Sequence, residues 1–148
     1  MEFIDLKEQY RRLKEKIDNN IQNVLNNADF ISGPEVKELE EQLAEYVGRK
    51  YCATCANGTD ALTIAMKVFD VKANDAVFVP SFTFYSTAEV VSLEGATPIF
   101  VDVDERTFNM DAKKLEKAIL QVKEEGKLNP KAIIPVDLFG QPANYSEI

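Results

Sequence analysis

From residue 51 onward, short apolar runs alternate with single helical patterns, and this alternation is the strongest constraint on the fold. Runs that suit β-strands occupy residues 51–55, 76–79, 98–101 and 131–136. Helical periodicity lies between them, at residues 60–69, 85–93 and 111–122. Nearly continuous apolar strands joined through one helix each favour parallel pairing, with helices on both faces of the sheet. The pattern therefore predicts an α/β fold with a mostly parallel sheet.

Residues 1–50 have a different pattern, that of two amphipathic helices. Apolar side chains recur three or four positions apart along the first: Leu6, Tyr10, Leu13, Ile17, Ile21 and Val24. Asp5, with a glutamate three positions on, has the form of a capping box. Pro34 suits the first turn of the second helix, and Gly48 suits its end. We expect an N-terminal helical arm at residues 1–50 and an α/β part at residues 51–148.

Charge and composition exclude several classes of function. Lys and Arg total 17 against 25 Asp and Glu, which gives a net charge of −8 and disfavours binding to nucleic acid or to an anionic membrane surface. The sequence contains no His, which removes Ser-His-Asp, Cys-His and His-metal chemistry. No stretch approaches the ~20 apolar residues of a membrane span, and the first residues lack the features of a signal peptide. We expect a cytoplasmic protein without a metal site.

A candidate ligand site follows the first predicted strand, where residues 57–62 are Asn-Gly-Thr-Asp-Ala-Leu. Gly58 permits a tight turn and a close approach of the backbone to a ligand. Thr59 and Asp60 place free N–H groups at a helix N-terminus, which favours a phosphate, but both residue types are also common helix caps. The motif alone leaves these alternatives open. Its position at the carboxyl end of a parallel strand favours a ligand site.

The exit of the second predicted strand brings aromatic side chains to the same edge of the sheet. Residues 79–87 contain Phe82, Phe84 and Tyr85 together with four Ser or Thr residues. Such a ring can stack on a flat heteroaromatic ligand, although packing against the following helix is the alternative. With the phosphate-type turn beside it, the loop favours a planar ligand that carries a phosphate.

Six short motifs occur in one order along nearly the whole chain, at residues 3–6, 31–36, 57–62, 79–84, 101–104 and 133–142. In this order and spacing they resemble the N-terminal part of the DegT/DnrJ/EryC1/StrS family of sugar aminotransferases, which use pyridoxal 5′-phosphate (PLP). Within that family the chain is most similar to enzymes that aminate UDP-linked 3-keto-hexosamine uronic acids for surface polysaccharides. The resemblance implies that residues 51–148 are an incomplete part of the PLP-binding large domain of a fold-type-I enzyme.

The resemblance also implies roles for individual residues. It implies that Gly58, Thr59 and Asp60 hold the cofactor phosphate, and that Phe84 stacks on the pyridine ring. Asp137 stands where many members have His, which leaves its role near the cofactor open. No catalytic residue is expected in this chain, because the lysine that forms the Schiff base and the aspartate that pairs with the pyridinium nitrogen follow residue 148 in the family.

The same resemblance implies that the parent enzyme transfers an amino group from an amino acid, with glutamate as the expected donor, to a nucleotide-linked keto sugar, and that it works as a homodimer. The fragment alone is expected to be inactive. We also expect exposed apolar surface where further strands and a partner would pack. Residues 144–148 have the pattern of the start of a helix, which suggests a chain cut within a domain. The alternative is a non-catalytic binding or assembly module of the same family.

Two further groups of residues invite a chemical role. Cys52 and Cys55 form a CxxC pair, which could be redox-active, but both fall in a predicted strand and no third thiol or His completes a metal site. We expect two reduced, buried thiols. Asp102 and Asp104 could form an acid/base pair or a Mg²⁺ site, but their position after a strand favours a turn.

Overall fold

The computed structural model describes residues 4–148, so that Phe3 of the first motif lies outside the described residues. The chain divides into two compact units, one that ends at Thr54 and one that runs from Cys55 to Ile148. The helices are α1 (Leu6–Asn27), α2 (Pro34–Tyr46), α3 (Gly58–Val68), α4 (Ser86–Leu93) and α5 (Ala112–Glu125). The strands are β1 (Asp75–Pro80), β2 (Thr97–Val101) and β3 (Asn129–Ile133).

The ends of the first two helices confirm the predicted caps. The Asp5 carboxylate accepts a hydrogen bond of 2.8 Å from the backbone N–H of Glu8, which starts α1. The capping box is only half formed, because the Glu8 carboxylate pairs with Arg11 and Arg12. Pro34 begins α2, where its missing N–H costs no helical hydrogen bond.

The strand predicted at residues 51–55 is wrong, since these residues are irregular. The Thr54 N–H and hydroxyl each donate a hydrogen bond of 2.8 Å to the Glu40 Oε1 of α2. Apolar and β-branched composition favours a strand only where a neighbouring strand accepts its ladder. Among residues 4–148 the paired strands are β1, β2 and β3, and none pairs with this segment.

The second unit is built on a parallel sheet in the order β2-β1-β3. The chain passes from β1 to β2 on one side and then returns across β1 to β3 on the other. β1 is therefore the central strand, with ladder partners on both edges, and all six of its residues are buried. This arrangement confirms the predicted α/β fold and the prediction of a buried strand at residues 76–79.

Alternate side chains of β1 enter two separate cores, as the period of a strand requires. Val77 and Val79 pack with Met66 of α3 and with Val90 and Val91 of α4. Ala76 and Phe78 pack on the other face of the sheet with further apolar residues, among them Val101 of β2 and Leu115 and Val122 of α5. Helices thus cover both faces of this sheet, as the apolar pattern predicted.

The last predicted strand and the predicted helix start near the end are both displaced from their expected positions. β3 occupies Asn129–Ile133 and not residues 131–136, because the ladder with β1 begins at Asp75 opposite Asn129. The register then shifts between Ala76 and Val77, which leaves an extra residue beside Pro130. Residues 144–148 form a turn with one hydrogen bond of the helical i→i−4 type and no helix.

Large apolar side chains are exposed in both units, which confirms the expectation of exposed apolar surface. α1 has no buried residue over its 22 residues. In the second unit, Phe100 of β2 is 61% exposed and Leu120 of α5 is 59% exposed. Within residues 4–148, no helix is long and apolar enough to cross a bilayer.

We predict that the double-faced burial of β1 carries much of the stability of the second unit. Phe78→Ala removes a ring that is 1% exposed, and it should lower the free energy of unfolding by about 3–5 kcal/mol, because the ring leaves a cavity. Phe100→Ala, on the neighbouring strand, is the matched control and should cost less than about 0.5 kcal/mol. Urea denaturation followed by circular dichroism measures both, and similar losses in the two variants would contradict the prediction.

Candidate functional site

A cleft of about 480 Å³ opens in the second unit at the carboxyl ends of the strands. Its walls come from three segments: the first turns of α3, the loop and helix start after β1, and the chain that follows β3. β1 and β3 are the neighbours between which the strand order reverses, and the crevice at such a point is where open parallel sheets bind ligands.

The N-terminus of α3 supplies hydrogen-bond donors to one wall of this cleft. Asn57 is the N-cap, and its Oδ1 accepts a hydrogen bond of 2.9 Å from the Asp60 N–H. The Asn57 carbonyl accepts the next one, from Ala61, at 3.1 Å. No acceptor within residues 4–148 takes the N–H of Gly58 or Thr59. Asn57 is thus the capping residue of α3, and the sequence did not single it out. The N–H groups of Gly58 and Thr59 stay available as donors at the positive end of the helix dipole.

The backbone conformation at position 58 does not require a glycine, contrary to the expected tight turn. Its φ lies outside the left-handed region, which the glycines at 48, 95, 126 and 140 do occupy. A Cβ built on Gly58 meets no atom within 4 Å. The chain itself therefore tolerates a side chain there, and the open space adjoins the cleft that Gly58 lines.

Aromatic side chains after β1 are exposed and do not pack against the following helix. Phe84 is 75% exposed and Tyr85 is 74% exposed, whereas α4 packs through Val90 and Val91. Phe84 lines the same cleft as Gly58. Three of the four predicted site residues, Gly58, Thr59 and Phe84, therefore share this cleft.

Asp60, the fourth predicted site residue, does not line the cleft. Its carboxylate accepts a hydrogen bond of 3.2 Å from the Asn57 amide, in addition to the bond from its own N–H to Asn57. Asp60 thus supports the capping residue at the start of α3.

The wall that follows β3 carries a carboxylate and a phenol. Asp137 Oδ1 accepts hydrogen bonds from the Ala143 N–H at 2.9 Å and from the Tyr145 hydroxyl at 2.8 Å. These bonds lower the pKa of Asp137, the backbone bond most, and the bond to Asp137 raises the pKa of the Tyr145 phenol. Tyr145 was missed in the sequence, because nothing in an irregular stretch indicates a contact eight residues away.

The two cysteines are not buried strand residues, which corrects the expectation from sequence. Cys55 is exposed and Cys52 is partly exposed. The Cys55 thiol lies 3.2 Å from the Asn57 carbonyl as a donor. The error follows from the strand predicted at residues 51–55, which does not form.

The acidic residues after β2 form a turn, as predicted. Asp104 Oδ1 accepts hydrogen bonds from the backbone N–H of Thr107 and Arg106, at 2.9 and 3.0 Å, and these bonds lower its pKa. Asp102 pairs with Lys114 at 2.8 Å, which lowers the pKa of that carboxylate. In the described part of the chain, no group of three or more Cys, Asp or Glu side chains could hold a metal ion.

Comparison with known proteins identifies the family. A family model described as the DegT/DnrJ/EryC1/StrS aminotransferase family matches residues 11–148. The chain belongs to this family. The solved structures that it matches are fold-type-I aminotransferases, so the chain has part of that fold.

Individual members of the DegT/DnrJ/EryC1/StrS family are similar over nearly the whole chain. The UDP-2-acetamido-2-deoxy-3-oxo-D-glucuronate aminotransferase of Pseudomonas aeruginosa is 51% identical over 148 residues, which are 100% of this chain and 39% of that protein. A crystal structure of an aminotransferase of the family from Brucella abortus matches with a TM-score of 0.97 at 50% identity, over 99% of this chain and 39% of that one. NtdA from Bacillus subtilis, solved with bound cofactor PMP, matches with a TM-score of 0.78 at 30% identity, over 90% and 29%.

The chain therefore spans about two-fifths of the length of the Pseudomonas aeruginosa and Brucella abortus proteins.

We predict that Asn57 holds the start of α3 in the shape that leaves the Gly58 and Thr59 donors free. Asn57→Ala removes the cap and should lower the free energy of unfolding by about 1 kcal/mol, as measured by urea denaturation. Asn57→Ser retains a capping oxygen and is the control, with a loss of only a few tenths of that value. Equal losses in the two variants would show that the cap contributes nothing.

Proposed function

We propose that this chain is the N-terminal, cofactor-phosphate-binding part of a PLP-dependent nucleotide-sugar aminotransferase. One observation carries the proposal: a single cleft joins two uncommitted backbone N–H groups at a helix N-terminus with an exposed aromatic ring. A planar molecule that carries a phosphate matches both features at once. Membership of an aminotransferase family supports PLP as that molecule.

The residues of the cleft fit the phosphate of PLP. The N–H groups of Gly58 and Thr59 are the donors that would bind it, and the helix dipole favours the negative charge. The empty space where a Gly58 side chain would lie lets phosphate oxygens approach the backbone. Asp60 belongs to the same site in a supporting part, because its two hydrogen bonds with Asn57 keep the first turn in place.

Phe84 would cover one face of the PLP ring. Phe84 is 75% exposed, so a stacked ligand would have to displace few packing contacts of its ring. Loop and helix are joined by the 3.1 Å hydrogen bond between the hydroxyls of Thr83 and Thr87, and Thr87 is buried. This bond holds the loop that carries Phe84. When bound, PLP supplies the electron sink and the amino-group carrier of transamination.

The substrates in this proposal are an amino acid, with glutamate as the expected donor, and a keto sugar linked to a nucleotide. The support for the sugar is the Pseudomonas aeruginosa relative, which is named for a UDP-linked 3-oxo-glucuronate and is 51% identical. We propose residues 1–50 as a helical arm and residues 51–148 as the N-terminal part of the PLP-binding domain. The Schiff-base lysine would lie after residue 148, so this chain alone would not transaminate.

We also propose that the parent enzyme is a homodimer. The support is the apolar surface that both units leave exposed, such as the 61% exposed Phe100 and the 54% exposed Ile21. Apolar exposure on this scale is typical of surfaces that pack against a partner or against further parts of the chain.

We predict that Gly58→Ala and Phe84→Ala separate ligand binding from folding in the intact protein. Neither change should lower thermal stability appreciably, since Gly58 has open space around it and Phe84 is exposed. Both should weaken PLP binding by about tenfold or more, because a methyl group blocks the phosphate approach or a stacked ring is lost. Absorbance titration with PLP measures the affinity, and amino transfer from glutamate to a UDP-linked 3-keto sugar measures activity.

The matched control is Phe69→Ala, at the opposite end of α3, where the ring is 61% exposed. This variant should bind PLP with unchanged affinity. An intact protein that binds no PLP would refute the proposed function and would favour a non-catalytic module. Unchanged affinity in both cleft variants would refute the assignment of the site.

A further inference from the structure

Two loops on the carboxyl side of the sheet are joined by one buried amide, and this contact lies outside the cleft. Asn109, in the loop between β2 and α5, is 5% exposed. Its Nδ2 donates hydrogen bonds to the carbonyls of Gln141 and Pro142, at 3.1 and 3.0 Å. One side chain thus satisfies two backbone acceptors more than 30 residues further along the chain.

The loop that Asn109 holds is a strained one. Phe139 has a φ of 55° and Gly140 has a φ of 80°, and the left-handed conformation is unfavourable for an aromatic residue such as Phe139. A loop with such a residue keeps its shape only where other contacts determine it. The contacts that hold this loop include the Asn109 amide and the Asp137 carboxylate, which accepts from the Ala143 N–H. The Phe139 ring also meets the ring of Phe108, the residue before Asn109, edge to face at 6.1 Å between centroids.

The backbone of Asn109 is itself held by hydrogen bonds of the preceding turn and by the core. The Asn109 carbonyl accepts a 2.9 Å hydrogen bond from the Asp104 N–H, and the Asp104 carboxylate binds the backbone N–H groups of the same turn. The neighbouring Met110 is buried in the core beneath α5. These contacts hold the Asn109 side-chain amide in place relative to the sheet. Its two hydrogen bonds in turn hold the backbone at Gln141 and Pro142.

The loop begins and ends at side chains of the cleft. Asp137 and Tyr145 both line the cleft, and the Tyr145 phenol donates a 2.8 Å hydrogen bond to the Asp137 carboxylate. We propose that Asn109 is a positioning residue for the candidate PLP site, which sets the place of Asp137 and Tyr145 in the cleft through the loop between them. This inference rests on the proposed function for the identity of the ligand.

Asn109→Leu in the intact protein tests the proposal, because leucine has nearly the same size and cannot donate. We expect the Ala143 amide to exchange with solvent at least about tenfold faster, since its bond to Asp137 depends on the loop. The pKa of the Tyr145 phenol should return toward its ordinary value of about 10, as seen by site-resolved NMR. PLP affinity should weaken about tenfold.

Asn129→Leu is the matched control. Asn129 also donates through its side-chain amide, to Oδ1 of the buried Asp75 at 2.9 Å, but Asn129 is itself exposed and lies at the opposite end of the sheet. This variant should destabilise the protein without changing the Tyr145 titration, the Ala143 exchange at native conditions or the PLP affinity. Thermal unfolding of both variants shows that each remains folded under the conditions used.

The outcomes distinguish this proposal from the proposed function. Unchanged Tyr145 titration and Ala143 exchange in Asn109→Leu would overturn the positioning role, whether or not PLP binds. Both shifts with an unchanged PLP affinity would overturn the link between the loop and the ligand. Absence of PLP binding in the unsubstituted protein would refute the proposed function, and the phenol titration would still decide whether Asn109 positions the cleft wall.

Discussion

The rest of the second unit depends on the complete burial of β1. This strand has ladder partners on both edges and side chains in a separate core on each face, so that every polar group of its backbone must be satisfied within the sheet. Such a strand must be central, and its connections must leave to both sides. Helices α3 and α4 pack on one face of the strand and α5 packs on the other. The fold thus follows from one buried strand of six residues more than from any other segment.

The position of the cleft is a consequence of the same arrangement. Because the chain leaves β1 for one side and returns to the other, the segments after β1 and β3 separate at their carboxyl ends and leave a crevice between them. Three of the residues that border it have few structural contacts: the backbone N–H groups of Gly58 and Thr59 donate to no described acceptor, and Phe84 is exposed. Stability and binding are therefore assigned to different residues within a short distance along the chain, as the Asn57 cap beside Gly58 illustrates.

Local chemistry explains what could be predicted from sequence and what could not. The Asp5 cap, Pro34 and the buried strand at residues 76–79 were predictable, because each depends on a few neighbouring residues or on a short period. The segment at residues 51–55 failed because strand formation needs a partner strand that composition does not reveal. β3 begins two residues earlier than predicted because its ladder with β1 starts with Asn129 opposite Asp75, which only the pairing register reveals. Tyr145 and Asn109 could not be predicted because their hydrogen bonds join residues eight and more than 30 positions apart, and no local pattern indicates such contacts.

Amide hydrogen exchange should differ sharply between β1 and the start of α3. Amides in a strand buried on both faces open to solvent only when the whole unit unfolds, so their exchange reports the global free energy of unfolding. The N–H groups of Gly58 and Thr59 have no described acceptor to release and would exchange at nearly the rate of an open chain. Slowly and rapidly exchanging amide protons of this unit would thus lie within about twenty residues of one another. A bound anion that accepts hydrogen bonds from Gly58 and Thr59 would slow the exchange of these two amides toward that of β1, without any change in the sheet.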